Sequence, residues 1–502
     1  MFRRASFAPA AAEPQFLKGV AEEIPDEVAR VRALPKVNEG PSPVVIIIGA
    51  GAAGLCAAVE MEALGWKVEI FEAERDHIGG RIRTHSMGPD QGELGAMRIP
   101  AVHMITRHYV KECALTLRPF INSDENAFFH VRGQRSRVRD VKQLWRLFAL
   151  TDAEAALGDT GLWQKSMTDL ANGLSEEEKL DVSRPRPRTE RVLSLDRESL
   201  YSRFRAAGLS AEAIQLIASL WNLETSLHIG LLEHLREELK SVWAGTFDEI
   251  SGGMSRLPEA LARRLVCKIR TASPVVRVEQ DASVITAFSA DGTSVSGDYL
   301  ICSAPLGAMK KIEFRPPLTA RKNEALRRMN YDSSTKVLAL ASRRFWETDD
   351  GIYGGCSISD GPLGSTHYPS DNPYKDPDIS NRPSVFLASY TWGQMARRMA
   401  AGTTKAEIVR ELAKFHHSLR DQPDLIEDIK IWAWDEHDWS EGAYAFAMPG
   451  EQTEFQEAVD AAEGRMIIAG EHAGPTHAWI QGALQSGLNA VEQIYAARAR
   501  QA

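Results

Sequence analysis

The stretch from Pro43 to Glu72 constrains this chain more than any other. Val44-Val45-Ile46-Ile47-Ile48 is an apolar, mostly β-branched run, followed at once by Gly49-Ala50-Gly51-Ala52-Ala53-Gly54. A helix-like segment then runs to Leu64, Gly65-Trp66 breaks it, Val68-Glu69-Ile70-Phe71 reads as a second strand, and Glu72 follows. Strand, glycine turn, helix, strand and acid is the order a dinucleotide-binding unit requires. Gly49 allows the tight turn, Gly51 lets the backbone approach a pyrophosphate, and Gly54 lets helix and strand pack closely. The helix N-terminus presents free N–H groups to phosphates, and Glu72 is placed to accept from ribose hydroxyls. A glycine-rich turn alone would say little; both strands and the acid in register predict an α/β fold.

At 502 residues the chain is too long for one hydrophobic core, so two or three domains are expected. A hydrophobic content of 44% and a charged content of 25% describe an ordinary globular protein, and the net charge of -9 argues against a nucleic-acid partner. The cysteines Cys56, Cys113, Cys267, Cys302 and Cys356 are odd in number, widely spread and without a CxxC pair. Neither a disulfide framework nor a metal site is indicated; Cys56 and Cys302, in apolar runs, read as buried small hydrophobes. No segment reaches the length of a membrane span. Arg3-Arg4 is followed by Ala/Pro-rich and then acidic sequence instead of an apolar core, so the protein reads as cytoplasmic.

Residues 1–40 read as an N-terminal arm, weakly helical around Glu22 to Leu34. Beyond the nucleotide unit come Gly79-Gly80-Arg81 and Gly95-Ala96-Met97-Arg98-Ile99-Pro100. His103 to about Gly245 reads mostly helical, with apolar positions at helical spacing in Ala211 to Leu220. After Phe247 to Met254, short strands are expected at Val275 to Val278, Val284 to Phe288 and Tyr299 to Cys302, with more sheet at Lys336 to Ala341 and Ser384 to Tyr390. The Pro/Asp/Asn-rich span Asp360 to Pro383 reads as a long loop. Met466-Ile-Ile-Ala-Gly470-Glu471 reads as a strand ending in glycine and acid, and a helix from about Ile480 to Arg498 closes the chain.

Gly79-Gly80-Arg81 after Glu72, with Gly470-Glu471 near the C-terminus, resembles the FAD-dependent amine oxidase family. Within it, Gly95 to Pro100, Phe247 to Pro258, Ser334-Thr335-Lys336 and Phe345-Trp346-Glu347 are most similar to the L-amino-acid oxidases. The resemblance runs from about Pro43 to Val491. It implies a discontinuous Rossmann-like FAD-binding domain (41–84, 246–330 and 455–502), a sheet-based substrate-binding domain (85–145 and 331–454) and a helical domain (146–245). It also implies that Gly49, Gly51, Ala53, Gly54, Glu72, Ala73, Gly80, Arg81, Met97, Arg98, Val275, Gly470, Glu471 and Ile480 bind FAD. Glu72 would hold the adenosine ribose, Arg81 would lie on the pyrophosphate side and Val275 would meet the adenine. Some members hold FAD through a late cysteine; with none after Cys356, non-covalent FAD is expected. A homodimer is common in the family.

By the same resemblance, Arg98 holds the substrate carboxylate, and guanidinium suits that task because its planar fork matches a carboxylate. Tyr390 donates a second hydrogen bond, Tyr444 and Trp479 flank the amine, and Lys336 holds a water beside the flavin. The alternatives are a surface arginine, a half-buried strand tyrosine, ordinary aromatic packing and a strand-edge lysine. The implied reaction is hydride transfer from an L-amino acid to FAD, then hydrolysis to 2-oxo acid and ammonia, with O2 reduced to hydrogen peroxide. Rival readings are an amine or polyamine oxidase, which lacks a carboxylate partner, and an amino-acid 2-monooxygenase.

For the substrate side chain, Trp221 is either a pocket wall, favouring large and mostly uncharged L-amino acids, or core. Glu237 and Glu238 either line the pocket and favour lysine or arginine, or lie on the surface of an amphipathic helix; the surface reading is preferred.

Overall fold

The computed structural model describes residues 24–38 and 40–500. The rest of the expected N-terminal arm, residues 1–23 with Glu39, lies outside the described residues. Its described part forms a short helix, Asp26–Arg32, that buries Val28 and Val31. Arg32 reaches Glu60 at 2.7 Å.

Strand β1 (Val44–Ile48), helix α1 (Ala52–Ala63) and strand β2 (Lys67–Phe71) form as expected. They begin a five-stranded parallel sheet ordered Ile269–Arg270, β2, β1, Tyr299–Cys302, Met466–Ile468. Both faces of this sheet are covered, which is why β1 reads as an unbroken apolar run instead of an alternating one. α1 is buried almost all round and rich in alanine, so other backbones can come close. A Cβ at Gly487, in the C-terminal helix, would stand 2.5 Å from the Ala53 carbonyl oxygen.

A second unit is a seven-stranded sheet. Its β3 (Ser334–Ala341) runs antiparallel between β4 (Ser384–Trp392) and Ile426–Ala433, with all eight β3 residues buried. Its far edge is a hairpin, Phe128–Val131 with Gln134–Arg137. The mostly helical reading of His103 to Gly245 holds for the greater part of the span; this hairpin and strand Leu117–Phe120, paired with Phe247–Ile250, are the exceptions. The long-loop reading of Asp360 to Pro383 is corrected, because the span contains strand Ser365–His367 and the short helix Pro377–Ser380.

A helical region that includes α2 (Ala211–Trp221) and α3 (Leu231–Leu239) shares a core with the seven-stranded sheet. Ser210 caps α2 at its start, and Asn222 ends it in a left-handed conformation, φ 52°. The chain closes with α4 (Ile480–Ala499). All five cysteines are free, and Cys56 and Cys302 are buried as expected. Among the described residues no helix is long and apolar enough to cross a membrane.

Candidate active site

One cavity of about 360 Å³ runs from the end of β1 to inner strands of the seven-stranded sheet and to the helical region. At one end the chain turns at Gly49, whose φ of +99° is accessible to glycine and rarely to other residues. Gly51 starts α1, and a Cβ built on it would meet nothing within 4 Å. Gly54 does not line the cavity. Its Cβ would stand 2.1 Å from the Gly49 carbonyl oxygen, so this glycine serves helix–strand packing and is not a ligand-facing position.

Glu72 accepts the backbone N–H groups of Ala50 at 2.7 Å and Glu74 at 2.8 Å, and burial raises its pKa. Its carboxylate is fixed beside the glycine turn, with acceptor sites left for hydroxyl donors. Ala53, Ala73, Gly80, Val275, Gly470 and Ile480 line the same cavity. Arg81 donates to Glu471 at 2.6 Å and to the Ala443 carbonyl at 3.1 Å. Glu471 also accepts the backbone N–H groups of Ala445 and Ala478. Burial works against its charge, but Arg81, with His477, holds its carboxyl below the usual carboxylate range. A glycine cradle open to the cavity, a fixed acid beyond the second strand and a half-buried arginine fit a bound dinucleotide.

At the other end Arg98, Met97, Lys336, Tyr390, Tyr444 and Trp479 line the cavity together, although they come from five separate stretches of sequence. Arg98 donates to Asn122 at 2.6 Å, and its guanidinium lies 4.8 Å from the Trp243 ring centre. Burial lowers its pKa.

Lys336 is not an edge lysine: it sits on an inner strand with 1% exposure. Its Nζ donates to the Gly95 carbonyl at 2.6 Å and the Glu93 carbonyl at 3.2 Å, so this buried ammonium is not stranded. Burial pushes its pKa down from the lysine range, opposed by the Glu93 carboxylate.

Tyr390 packs on Trp392 at 4.5 Å between ring centres, and Trp392 meets Tyr444 edge-on at 5.4 Å. The Tyr444 hydroxyl donates to Asp332 at 3.2 Å, and burial raises the Asp332 carboxyl to about 6. Trp479 lies edge-on to His103 at 4.9 Å.

Two sequence expectations fail here. Trp221 is core: it is 3% exposed, does not line the cavity, and donates its indole N–H to buried Asp159 at 2.9 Å. Its ring stands 5.0 Å from that of Trp163. The left-handed turn at Asn222 brings Asn222, not Trp221, to the cavity. Glu237 is no surface acid: it lines the cavity and accepts the indole N–H groups of Trp479 at 2.9 Å and Trp243 at 2.8 Å. Its neighbour Glu238 turns inward as well, to Trp163 and Thr168.

Sequence reasoning also passed over Glu233, which lines the cavity and pairs with His477 at 2.8 Å. The signal was available, since Glu233 and Glu237 are four apart and share one face of α3.

The family model described as flavin containing amine oxidoreductase matches residues 52–495. The L-amino-acid oxidase of Vipera ammodytes ammodytes is 30% identical over 466 residues, covering 90% of this chain and 92% of that protein. That of Siganus canaliculatus is 32% identical over 474 residues, covering 92% and 86%. Among solved structures, cyclohexylamine oxidase from Brevibacterium oxydans superposes with a TM-score of 0.73 at 20% identity, covering 92% of this chain and 100% of that one. Putrescine oxidase bound to putrescine does so at 0.70 and 20% identity, covering 91% and 99%. The glycine cradle, the discontinuous parallel sheet and a match over most of its length agree: this chain belongs to the flavin-containing amine oxidoreductase family, with FAD as its cofactor.

Proposed function

We propose that the protein is an L-amino-acid oxidase. The carrying observation is that Arg98 reaches the same cavity as Tyr390, Tyr444, Trp479 and Lys336. An oxidase acting on simple amines has no use for a guanidinium at that place, whereas an amino-acid carboxylate does. The names of the sequence relatives support the same reading.

Gly49, Gly51, Glu72, Ala73, Val275, Arg81 and Glu471 would hold FAD, bound non-covalently. FAD, when bound, would supply the redox chemistry, with oxygen as the final electron acceptor. The net reaction turns an L-amino acid, O2 and water into a 2-oxo acid, ammonia and hydrogen peroxide. Arg98 and the Tyr390 hydroxyl hold the carboxylate. The faces of Tyr444 and Trp479 position the amine and keep out water. Lys336, its proton loosened by burial, holds a water at the cavity wall and can give or take a proton at Nζ. With carboxylate and amine both fixed, only one enantiomer directs its Cα–H to the cofactor.

The division into FAD-binding (41–84, 246–330, 455–502), substrate-binding (85–145, 331–454) and helical (146–245) domains belongs to the same proposal. It is supported by the parallel sheet, which draws its strands from the first set of segments, and by the seven-stranded sheet, which draws its strands from the second. Large uncharged side chains lose their sequence argument, because that argument needed Trp221 at the pocket.

Anaerobic addition of L- and D-amino acids to the yellow protein tests the proposal. L-amino acids should bleach the flavin, D-amino acids and decarboxylated amines should not, and oxygen should then yield 2-oxo acid instead of the amide a monooxygenase makes. Equal bleaching by both enantiomers, or by amines alone, would overturn it.

A further inference from the structure

Resting on the L-amino-acid oxidase reading, we infer that Glu237 selects substrates with a cationic side chain, lysine and arginine above neutral chains of the same length. Glu237 stands on α3, on the helical side of the cavity, with Arg98 on another wall. Each of its carboxylate oxygens accepts one indole N–H, from Trp479 and from Trp243. A carboxylate offers about four acceptor sites, so two remain after the indoles are served. Both indole donors are neutral, and among the described residues no lysine, arginine or histidine lies within salt-bridge distance of Glu237.

Arg98 and Lys240 act on the Glu237 charge through space, but each spends its hydrogen bonds on another group. Lys240 donates to the Thr476 hydroxyl at 3.2 Å, Arg98 to Asn122, and Arg236 to the Pro475 carbonyl at 2.6 Å with Glu233 at 3.2 Å. Partial burial of a carboxylate whose hydrogen-bond donors are both neutral is unfavourable, and desolvation raises the Glu237 pKa accordingly. A side-chain ammonium or guanidinium entering the cavity supplies a counter-charge in direct contact, whereas an acidic side chain adds a second like charge.

The indoles also set where that cation can sit. Trp479 flanks the proposed amine position, and Trp243 lies against Arg98. Glu237 thus lines the pocket beside both indoles, and a side-chain cation meets it at the wall they form.

The test compares isosteres on the intact FAD-loaded enzyme: lysine against norleucine, and arginine against citrulline, by kcat/KM and by anaerobic flavin bleaching. Lysine and arginine should lead their neutral partners by roughly tenfold or more, the effect of a desolvated charge pair. Glu237→Gln should bring both ratios close to one, whatever it does to the rates on norleucine and citrulline themselves. Glu237→Asp, which keeps the charge, should retain part of the preference. Equal wild-type rates within each pair overturn the inference, and that comparison needs no variant to fold. An equal loss on all four substrates in Glu237→Gln would mean that Glu237 only braces the two indoles. If no L-amino acid bleaches the flavin, the parent reading falls; if neutral ones bleach it as well as cationic ones, only the selection by Glu237 falls.

Discussion

Lys336 and Tyr390 face each other across adjacent antiparallel strands, and the Lys336 Nζ lies 4.5 Å from the centre of the Tyr390 ring. Directly paired residues project to the same side of a sheet, so the register of β3 against β4 delivers both side chains to one cavity. A one-residue slip would turn either strand's side chains to the opposite face.

Arg98→Lys keeps the charge and loses the planar fork. Carboxylate binding should weaken by about 2–5 kcal/mol, seen as a large fall in kcat/KM for amino acids with FAD content unchanged. Near-normal activity would remove Arg98 as the anchor.

Alanine at Gly51 and at Gly54 should behave oppositely. The Gly51 Cβ meets no protein atom within 4 Å, so Gly51→Ala should fold and melt normally yet release FAD more readily. The Gly54 Cβ would overlap the Gly49 carbonyl oxygen at 2.1 Å, so Gly54→Ala should cost about 1–3 kcal/mol or more of stability. Thermal melts of the flavin-free protein, paired with flavin release, separate the two.

Trp221→Ala should lower stability by about 3–5 kcal/mol, as for other large core truncations, and leave Asp159 without its indole donor. Relative kcat/KM values across phenylalanine, tryptophan, glutamine, lysine and arginine should stay the same. A selective gain for the bulkiest substrate would return Trp221 to the pocket wall.

His477 gives the melting temperature a pH dependence. Burial works to lower its pKa, but Glu233 at 2.8 Å, with Glu471 beyond, raises it above the ordinary histidine value. A group whose pKa is raised on folding stabilises fully below its unfolded value, ~6.5, and stops doing so as pH rises through the folded value. Melts of the wild type should therefore fall on the alkaline side of that range, and His477→Asn should lack that component of the decline. Parallel curves for the two proteins would show that the pair contributes nothing.

What could be read in the sequence was local or carried by contiguous motifs. The β1–α1–β2 unit was legible because each part is specified by its neighbours: a β-branched run, glycines where the backbone must turn or approach, and an acid at the strand end. Arg81, Arg98 and Glu471 were legible because each sits in its own short motif. The hairpin at Phe128 to Arg137 was missed although Arg132-Gly133, both at positive φ, marks its turn. Its sheet partner Ile358–Ser359 comes from a distant part of the chain.

The sequence by itself determined the cofactor unit, the candidate carboxylate anchor and the motifs that carry the family. Tertiary structure alone decided the side-chain end of the pocket. Trp221 and Asn222 are consecutive, yet a left-handed turn sends one to the core and the other to the cavity. Glu237 and Glu238 are also consecutive and diverge for a like reason, since neighbours on a helix point about a quarter-turn apart. The phase of α3 against Trp243 and Trp479 is set by packing of segments far apart in the chain, and periodicity within one helix does not encode it.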